Sequence, residues 1–176
     1  SGGMWQVGVP TYGPDSAYSG GNCAGTVLGG TFPSNQSSYL VTPPFVVPSS
    51  SEHPRLRFYH WYSFSSADYG EVHIRVNGGA WESISERYTS YSGCWTRAGV
   101  DLSSYAGLEV EIAFFCYCKD YSGTYGSDVA AGWYVDDVEL VTGGLSALEA
   151  NVPEDFEGGL GDWWVSGGMW QVGVPT

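Results

Sequence analysis

The segment LEVEIAFFCYC, residues 108–118, decides the fold class because its side chains alternate along its whole length. Every even-numbered residue from Leu108 to Cys118 is apolar or a cysteine, whereas the odd-numbered positions include Glu109 and Glu111. Since successive side chains of a β-strand point to opposite faces of its sheet, this period of two predicts a strand with one buried face.

Other segments follow the same pattern. PRLRFYHWYSF (54–64) and EVHIRVNGGAWESIS (71–85) alternate, and the second contains Asn77-Gly78, a dipeptide typical of a tight hairpin. Shorter strands are expected at 4–9, 23–28, 39–47, 94–99, 133–141 and 161–172. About nine strands with frequent turns predict an all-β fold, an antiparallel two-sheet β-sandwich of the jelly-roll type.

Composition excludes several classes of partner. The 176 residues include 19 acidic and 6 basic side chains, which gives a net charge of −13. A surface of this charge repels the phosphate backbone, so nucleic acid is not an expected partner. No apolar run approaches the roughly 18 residues that a membrane-spanning helix needs, so membrane insertion is not expected either.

The two ends of the chain carry the same sequence. SGGMWQVGVPT occupies residues 1–11 and again 166–176, which corresponds to a period of 165 residues. An identity of this length indicates a tandem repeat. We expect residues 1–141 to form the main body of one β-sandwich repeat, 142–154 a linker, and 155–176 the opening strands of the next repeat.

The cysteines and one sequon indicate an extracellular or cell-surface location. Four cysteines are an even number, which favours disulfides in an oxidising compartment. Cys116 and Cys118 share one strand face, so two pairings are open: Cys23 with Cys116 and Cys94 with Cys118, or Cys23 with Cys118 and Cys94 with Cys116. Asn35 begins the sequon NQS in a polar loop and is a candidate N-glycosylation site.

Read from residue 155 to the end and then from the beginning, the period opens with FEGG (156–159) and Trp163 and closes with GWYVDDV (132–138). In this order the chain resembles the MAM-like jelly-roll domains of secreted bacterial proteins, including those appended to secreted metallopeptidases. The resemblance implies an extracellular adhesion or accessory domain without catalytic activity. It also implies a structural calcium ion between the first and last strands. The cysteines do not follow the animal MAM pattern, so no disulfide pairing is transferred.

Four carboxylates are the candidate calcium ligands. The alternation of WYVDDVEL (133–140) continues only if one extra residue is absorbed at Asp136-Asp137, as a β-bulge does. Such a bulge aims two carboxylates at one point, and Asp155 and Glu157 of the opening strand are their natural partners. We therefore predict a structural Ca²⁺ site at these four residues; the alternative is that the acids cap turns or face solvent.

The sequence contains no arrangement typical of catalysis, so we expect a protein that is not an enzyme. Nucleophile-elbow, zinc-protease and phosphate-loop motifs are all missing from it. His60 is in line with Leu56 and Phe58, which predicts a hydrogen-bonded core histidine rather than a catalytic one.

The aromatic residues are more numerous than one small core needs, with 8 Trp and 13 Tyr. Tyr59, Trp61 and Trp95 are expected on an outer face of the sandwich, together with Phe115 and Tyr117. Outward-facing aromatic rings stack on sugar rings, form an interface between subunits or repeats, or simply cover the second face of the core.

Two functions follow from these patterns. The first is a non-catalytic structural or adhesive repeat unit of an extracellular fibre, stalk or adhesin, joined to identical neighbouring repeats or subunits through shared or exchanged β-strands and calcium. The alternative is a carbohydrate-binding module of a secreted multidomain enzyme, which uses the outward-facing aromatic residues to bind glycans.

Overall fold

The computed structural model describes residues 4–33, 35–119, 130–145 and 148–164. Two single 3₁₀ turns, Ser50–Glu52 and Ser103–Tyr105, are the helices in these ranges, and neither is long and apolar enough to cross a membrane. The strands are β1 (Gln6–Gly8), β2 (Cys23–Gly25), β3 (Ser37–Val41), β4 (Phe45–Val46), β5 (Arg55–Ser63), β6 (Tyr69–Val76), β7 (Glu82–Ser83), β8 (Thr96–Asp101), β9 (Glu109–Tyr117) and β10 (Gly132–Val141).

The strands form two antiparallel sheets. Sheet A has the order β1-β2-β10-β5-β8, and sheet B has the order β3-β9-β6-β7, with β4 also paired to β9. The prediction of an all-β, antiparallel two-sheet β-sandwich is therefore confirmed. The predicted strand at 39–47 is divided into β3 and β4 on either side of Pro43-Pro44, because proline cannot donate a hydrogen bond to a β-ladder.

Strand β9 is central to sheet B, with β3 on one side and β6 on the other. Its inward residues Val110, Ile112, Phe114 and Cys116 are fully buried, as their alternation predicts. Leu108 was grouped with them in the sequence, but it is exposed because the strand begins one residue later, at Glu109.

Trp133 of β10 lies in the core between the sheets and contacts rings from both of them. Phe114 meets it edge to face at a centroid distance of 5.6 Å, and Tyr88 packs at the same distance. The indole N–H of Trp133 donates to Nδ1 of His60 at 3.3 Å. This bond confirms that His60 is a hydrogen-bonded core residue, and burial lowers its pKa to about 3.

The predicted β-bulge in β10 is confirmed. The register of β10 against β5 shifts between Asp136 and Glu139, and Asp137 has a φ of 45°. The apolar residues after the bulge were expected to point into the core. Leu140 does lie opposite the buried Leu56. However, Val138 and Leu140 are 43% and 41% exposed, so the apolar side chains of β10 are buried before the bulge but not after it.

The end of the chain differs from the predicted strand at 161–172. Residues 161–164 form a turn, and residues 165–172 lie outside the described residues. Residues 142–145 and 148–154, within the predicted linker, carry no strand.

Candidate functional site

The outer face of sheet A carries an open groove lined by aromatic rings. Tyr59 and Trp61 alternate along β5 with the buried residues Phe58, His60 and Tyr62, so their side chains point away from the core. They line a cavity of about 560 Å³ that we name the aromatic groove. Its other walls include Pro14, Asp15, Ser16, Tyr18, Cys94, Trp95, Thr96, Arg97, Gly159 and Leu160.

One wall of the groove is built by ring contacts between a loop and the sheet. The ring of Tyr18 lies flat on Tyr59, with centroids 3.4 Å apart and an interplanar angle of 12°. Trp95 meets Tyr18 edge-on, and its indole N–H donates to the Ser16 carbonyl at 2.9 Å. Burial, followed by a hydrogen bond with Tyr59, raises the pKa of Tyr18 to about 12, so this phenol is uncharged at neutral pH.

Trp61 lines both the aromatic groove and a second cavity of about 670 Å³. Pro14 and Asp15 also line both cavities, so the two cavities adjoin along these residues. Behind it, Tyr134 contacts Trp61 edge to face at 5.5 Å and is itself fully buried. The indole is therefore held in place from one side and open on the other.

The two bulge carboxylates have a structural task that the sequence analysis missed. Asp136 Oδ2 accepts hydrogen bonds from the backbone N–H groups of Tyr18 and Ser19 at 3.0 and 3.2 Å. Asp137 Oδ1 accepts from the Ser19 hydroxyl at 2.7 Å. The bulge thus fixes the loop that carries Tyr18 onto the groove. The GPDSAYSGG stretch (13–21) predicts a turn, but nothing in its sequence indicates that it contacts the bulge.

The other two predicted calcium ligands are placed in a local turn. Asp155 Oδ1 accepts a hydrogen bond from the Glu157 backbone N–H at 3.1 Å. Within the described part of the chain, no group of three or more histidine, cysteine, aspartate or glutamate side chains is arranged to hold a metal ion. Calcium binding at Asp136, Asp137, Asp155 and Glu157 stays a prediction.

The predicted disulfides are not formed, and all four cysteines are free. Cys116 and Cys118 lie in the core with their Sγ atoms 3.4 Å apart. Cys23 packs in a separate cluster with Tyr134, and Cys94 lines the groove. Each predicted pairing would join a core cysteine to one that lies outside the core cluster, and disulfide formation stays a prediction.

The outer face of sheet B also carries aromatic residues, but their ring faces are occupied. Phe115 stacks on Tyr39 at 4.5 Å, and Trp81 stacks on the same tyrosine at 5.6 Å. The guanidinium of Arg75 covers the Trp81 ring at 4.7 Å and pairs with Glu111 at 2.5 Å. Because the aromatic rings of sheet B already stack on one another and Arg75 is already paired with Glu111, we place the candidate site on sheet A.

The candidate glycosylation site, Asn35, is exposed and has a φ of 58°, in a loop next to β3. The position is accessible, and its modification stays a prediction.

The fold and the groove define a two-sheet β-sandwich with an open aromatic surface on one outer face. No protein-family model matches the sequence. The chain is 33% identical over 138 residues to bacillopeptidase F of Bacillus subtilis (strain 168), a match that covers 77% of this chain and 9% of that protein. It is 31% identical over 136 residues to the pre-pro-metalloprotease PrtV of Vibrio cholerae serotype O1, covering 69% of this chain and 14% of that protein. The chain thus spans about a tenth of the length of these relatives.

Three solved structures are similar in outline. TmCBM61 in complex with beta-1,4-galactotriose has a TM-score of 0.45 at 15% identity, over 78% of this chain and 88% of that one. A family 16 carbohydrate-binding module has a TM-score of 0.47 at 15% identity, over 78% and 86%. The K3 cleaved adhesin domain of Lys-gingipain from Porphyromonas gingivalis W83 has a TM-score of 0.40 at 17% identity, over 78% and 91%. All three scores lie below 0.5, so these likenesses are of outline only.

Proposed function

We propose that this domain is a non-catalytic, extracellular binding module and that the aromatic groove takes a glycan. The observation that carries the proposal is the position of Trp61, an indole that packs on Tyr134 and lines two adjoining open cavities. The match to short parts of two proteases supports the role of an accessory domain within a larger secreted enzyme.

The groove has the chemistry that sugar rings need. The C–H face of a pyranose is apolar and packs on an indole, while its hydroxyls need polar partners at the edge of the ring. Asp15 and Ser16 are exposed polar residues of the groove walls and lie on the same loop as Tyr18. The net charge of −13 disfavours acidic sugars, so we propose a neutral oligosaccharide as the ligand class.

Trp61→Ala is expected to weaken glycan binding by about 10- to 150-fold. The reason is the loss of about 1.5–3 kcal/mol of apolar burial against the sugar ring. The ligand is first selected on an array of neutral oligosaccharides, and the dissociation constants are then measured by titration calorimetry. Trp81→Ala is the matched control, because Trp81 is a half-buried indole on the other sheet. An equal loss in both variants, or no glycan bound by the unaltered chain, contradicts the proposal.

A different observation favours a second function, the structural repeat unit of an extracellular filament or adhesin. The sequence of residues 1–11 recurs at 166–176, and in the first copy it supplies β1. Strand β1 has three residues and pairs only with β2 among the described strands, and its Val7 is 77% exposed. An identical segment from a neighbouring repeat can replace such a short edge strand at little cost, which supports joining by strand exchange. A reading frame with many 165-residue periods, and polymeric particles in the electron microscope, are the outcomes this function requires.

Calcium is the proposed bridge between repeats, with Asp136 and Asp137 of one unit and Asp155 and Glu157 of the next as ligands. Extracellular calcium sites have dissociation constants of about 10⁻⁴ to 10⁻³ M. We therefore expect 10 mM calcium to raise the free energy of unfolding by about 1.4–2.7 kcal/mol. Asp137→Asn should remove this effect, and Asp15→Asn should keep it. The same stability in calcium and in chelator, measured by urea denaturation, contradicts calcium binding.

A further inference from the structure

Residues 156–164, which we name the strap, lie against the edge of sheet A. Strand β8 is the terminal strand of that sheet among the described strands, and β5 is its partner. Exposed sheet edges are usually covered or blocked, because their free backbone groups invite pairing with other chains. The strap lies at this edge, and specific side chains hold it there.

Arg97 of β8 is the first holding point. Arg97 is only 8% exposed. Its guanidinium donates to the carbonyl of Gly161 at 2.8 Å and to the carbonyl of Trp163. A buried guanidinium needs acceptors, and two carbonyls of one short segment accept from its Nη2, whereas its buried Nε has no hydrogen-bond partner among the described residues.

Arg55 at the start of β5 is the second holding point. It forms an ion pair with Asp162, and the two side chains are only 17% and 15% exposed. The same guanidinium donates to the carbonyls of His53 at 2.9 Å and Gly143 at 3.2 Å. Arg55 therefore joins the strap to the segments that flank β5 and β10.

The strap lines two different cavities. Gly159 and Leu160 form part of the aromatic groove, beside Tyr59 and Arg97. Trp164 lines a cavity of about 340 Å³ together with Val100 and other residues. The strap thus lies beside β8 and forms one wall of the groove.

We propose that the strap is the joint between this copy of the domain and the copy that follows it. This proposal rests on the repeat proposed above, because the strap directly precedes residues 166–176, whose sequence is that of 1–11 and includes the sequence of β1. A strap fixed to β8 by Arg97 and to β5 by Arg55 anchors the first strand of the following copy at the edge of this one. The occupant of the β8 edge is the strap of the same chain, and the groove lies at the boundary between two copies.

Amide hydrogen exchange of the full chain tests the joint. In the unaltered chain, the strap amides should exchange at least about tenfold more slowly than those of residues 148–154. Arg97→Gln and Asp162→Asn should each accelerate strap exchange by about tenfold. Arg57→Gln is the matched control, since the Arg57 guanidinium pairs with the exposed Glu139 and not with a carbonyl or carboxylate of the strap. Protected β9 amides show that each variant is folded, and Asp162→Asn provides the test if Arg97→Gln is not.

Three results overturn the proposal. The first is a strap that exchanges as fast as residues 148–154 in the unaltered chain. The second is a strap that stays protected in both variants. The third is a protected strap in a particle of twice the chain mass by light scattering, which places the strap on a second chain. Trp61→Ala leaves the strap contacts intact, so a failure of glycan binding does not bear on the strap. A reading frame without repeats would show that the repeat itself is wrong, whatever the exchange of the strap.

Discussion

Gly132→Ala is expected to lower the free energy of unfolding by about 2–6 kcal/mol. Gly132 opens β10 with a φ of 91°, and a Cβ there would lie 2.1 Å from Thr26 Oγ1 and 3.0 Å from the Phe32 ring. Backbone strain at positive φ costs about 1–3 kcal/mol, and overpacking of a filled core costs a similar amount. Thr26 cannot move freely, because its Oγ1 accepts a hydrogen bond from the Trp133 backbone N–H.

Urea denaturation of this variant is best compared with Gly143→Ala. Gly143 has a φ of 109°, but a Cβ there meets no atom within 4 Å. The control therefore carries only the strain, and its loss should stay near about 1–3 kcal/mol. Equal losses in both variants would show that the space beside Thr26 is not filled as the structure has it.

Acidification is expected to destabilise the domain strongly through His60. Burial lowers the pKa of this imidazole to about 3, whereas an exposed histidine titrates near 6.5. Between these two pH values the unfolded chain binds a proton that the folded chain does not, so stability falls as the pH falls. The slope is about 1.4 kcal/mol per pH unit, which amounts to about 5 kcal/mol at pH 3, and the full contribution is present above pH 6.5.

The cause of this shift is the position of His60 inside the ring cluster. Nδ1 of His60 accepts the Trp133 indole hydrogen, so a protonated imidazole would lose this bond as well as its hydration. His60→Asn removes the titrating group, and the slope of its stability between pH 6.5 and 4 should be shallower by the same 1.4 kcal/mol per unit, about the value expected for one proton. His53→Asn changes an exposed histidine and should keep the slope of the unaltered chain. Parallel slopes for all three proteins contradict the assignment.

Local periodicity predicted those parts of the fold that depend on single strands. The alternation of 108–118 became β9, and the irregular step at Asp136-Asp137 became the bulge of β10. Both patterns are readable because a strand with one buried face leaves its period in its own residues. For the same reason, Tyr59 and Trp61 were correctly placed on the outer face of β5.

Contacts between distant segments were not readable in this way. Tyr18 lies in a turn-rich loop, and only the folded chain brings its ring onto Tyr59. The Asp136 carboxylate holds it there by accepting a hydrogen bond from the Tyr18 backbone N–H. Arg97 gives no sign in the sequence that it is buried, because its partners are backbone carbonyls more than 60 residues away. The positions of the cysteines relative to one another were not readable either, because a shared strand face does not say on which side of a sheet a distant cysteine lies.

Glycan binding at the aromatic groove is tested by an NMR titration of the full chain with the neutral oligosaccharide that it binds best, following the eight indole signals. The largest shifts should belong to Trp61, with Trp95 next, and the signal of Trp81 should not move. Shifts centred on Trp81 and Tyr39, with Trp61 unchanged, would contradict it.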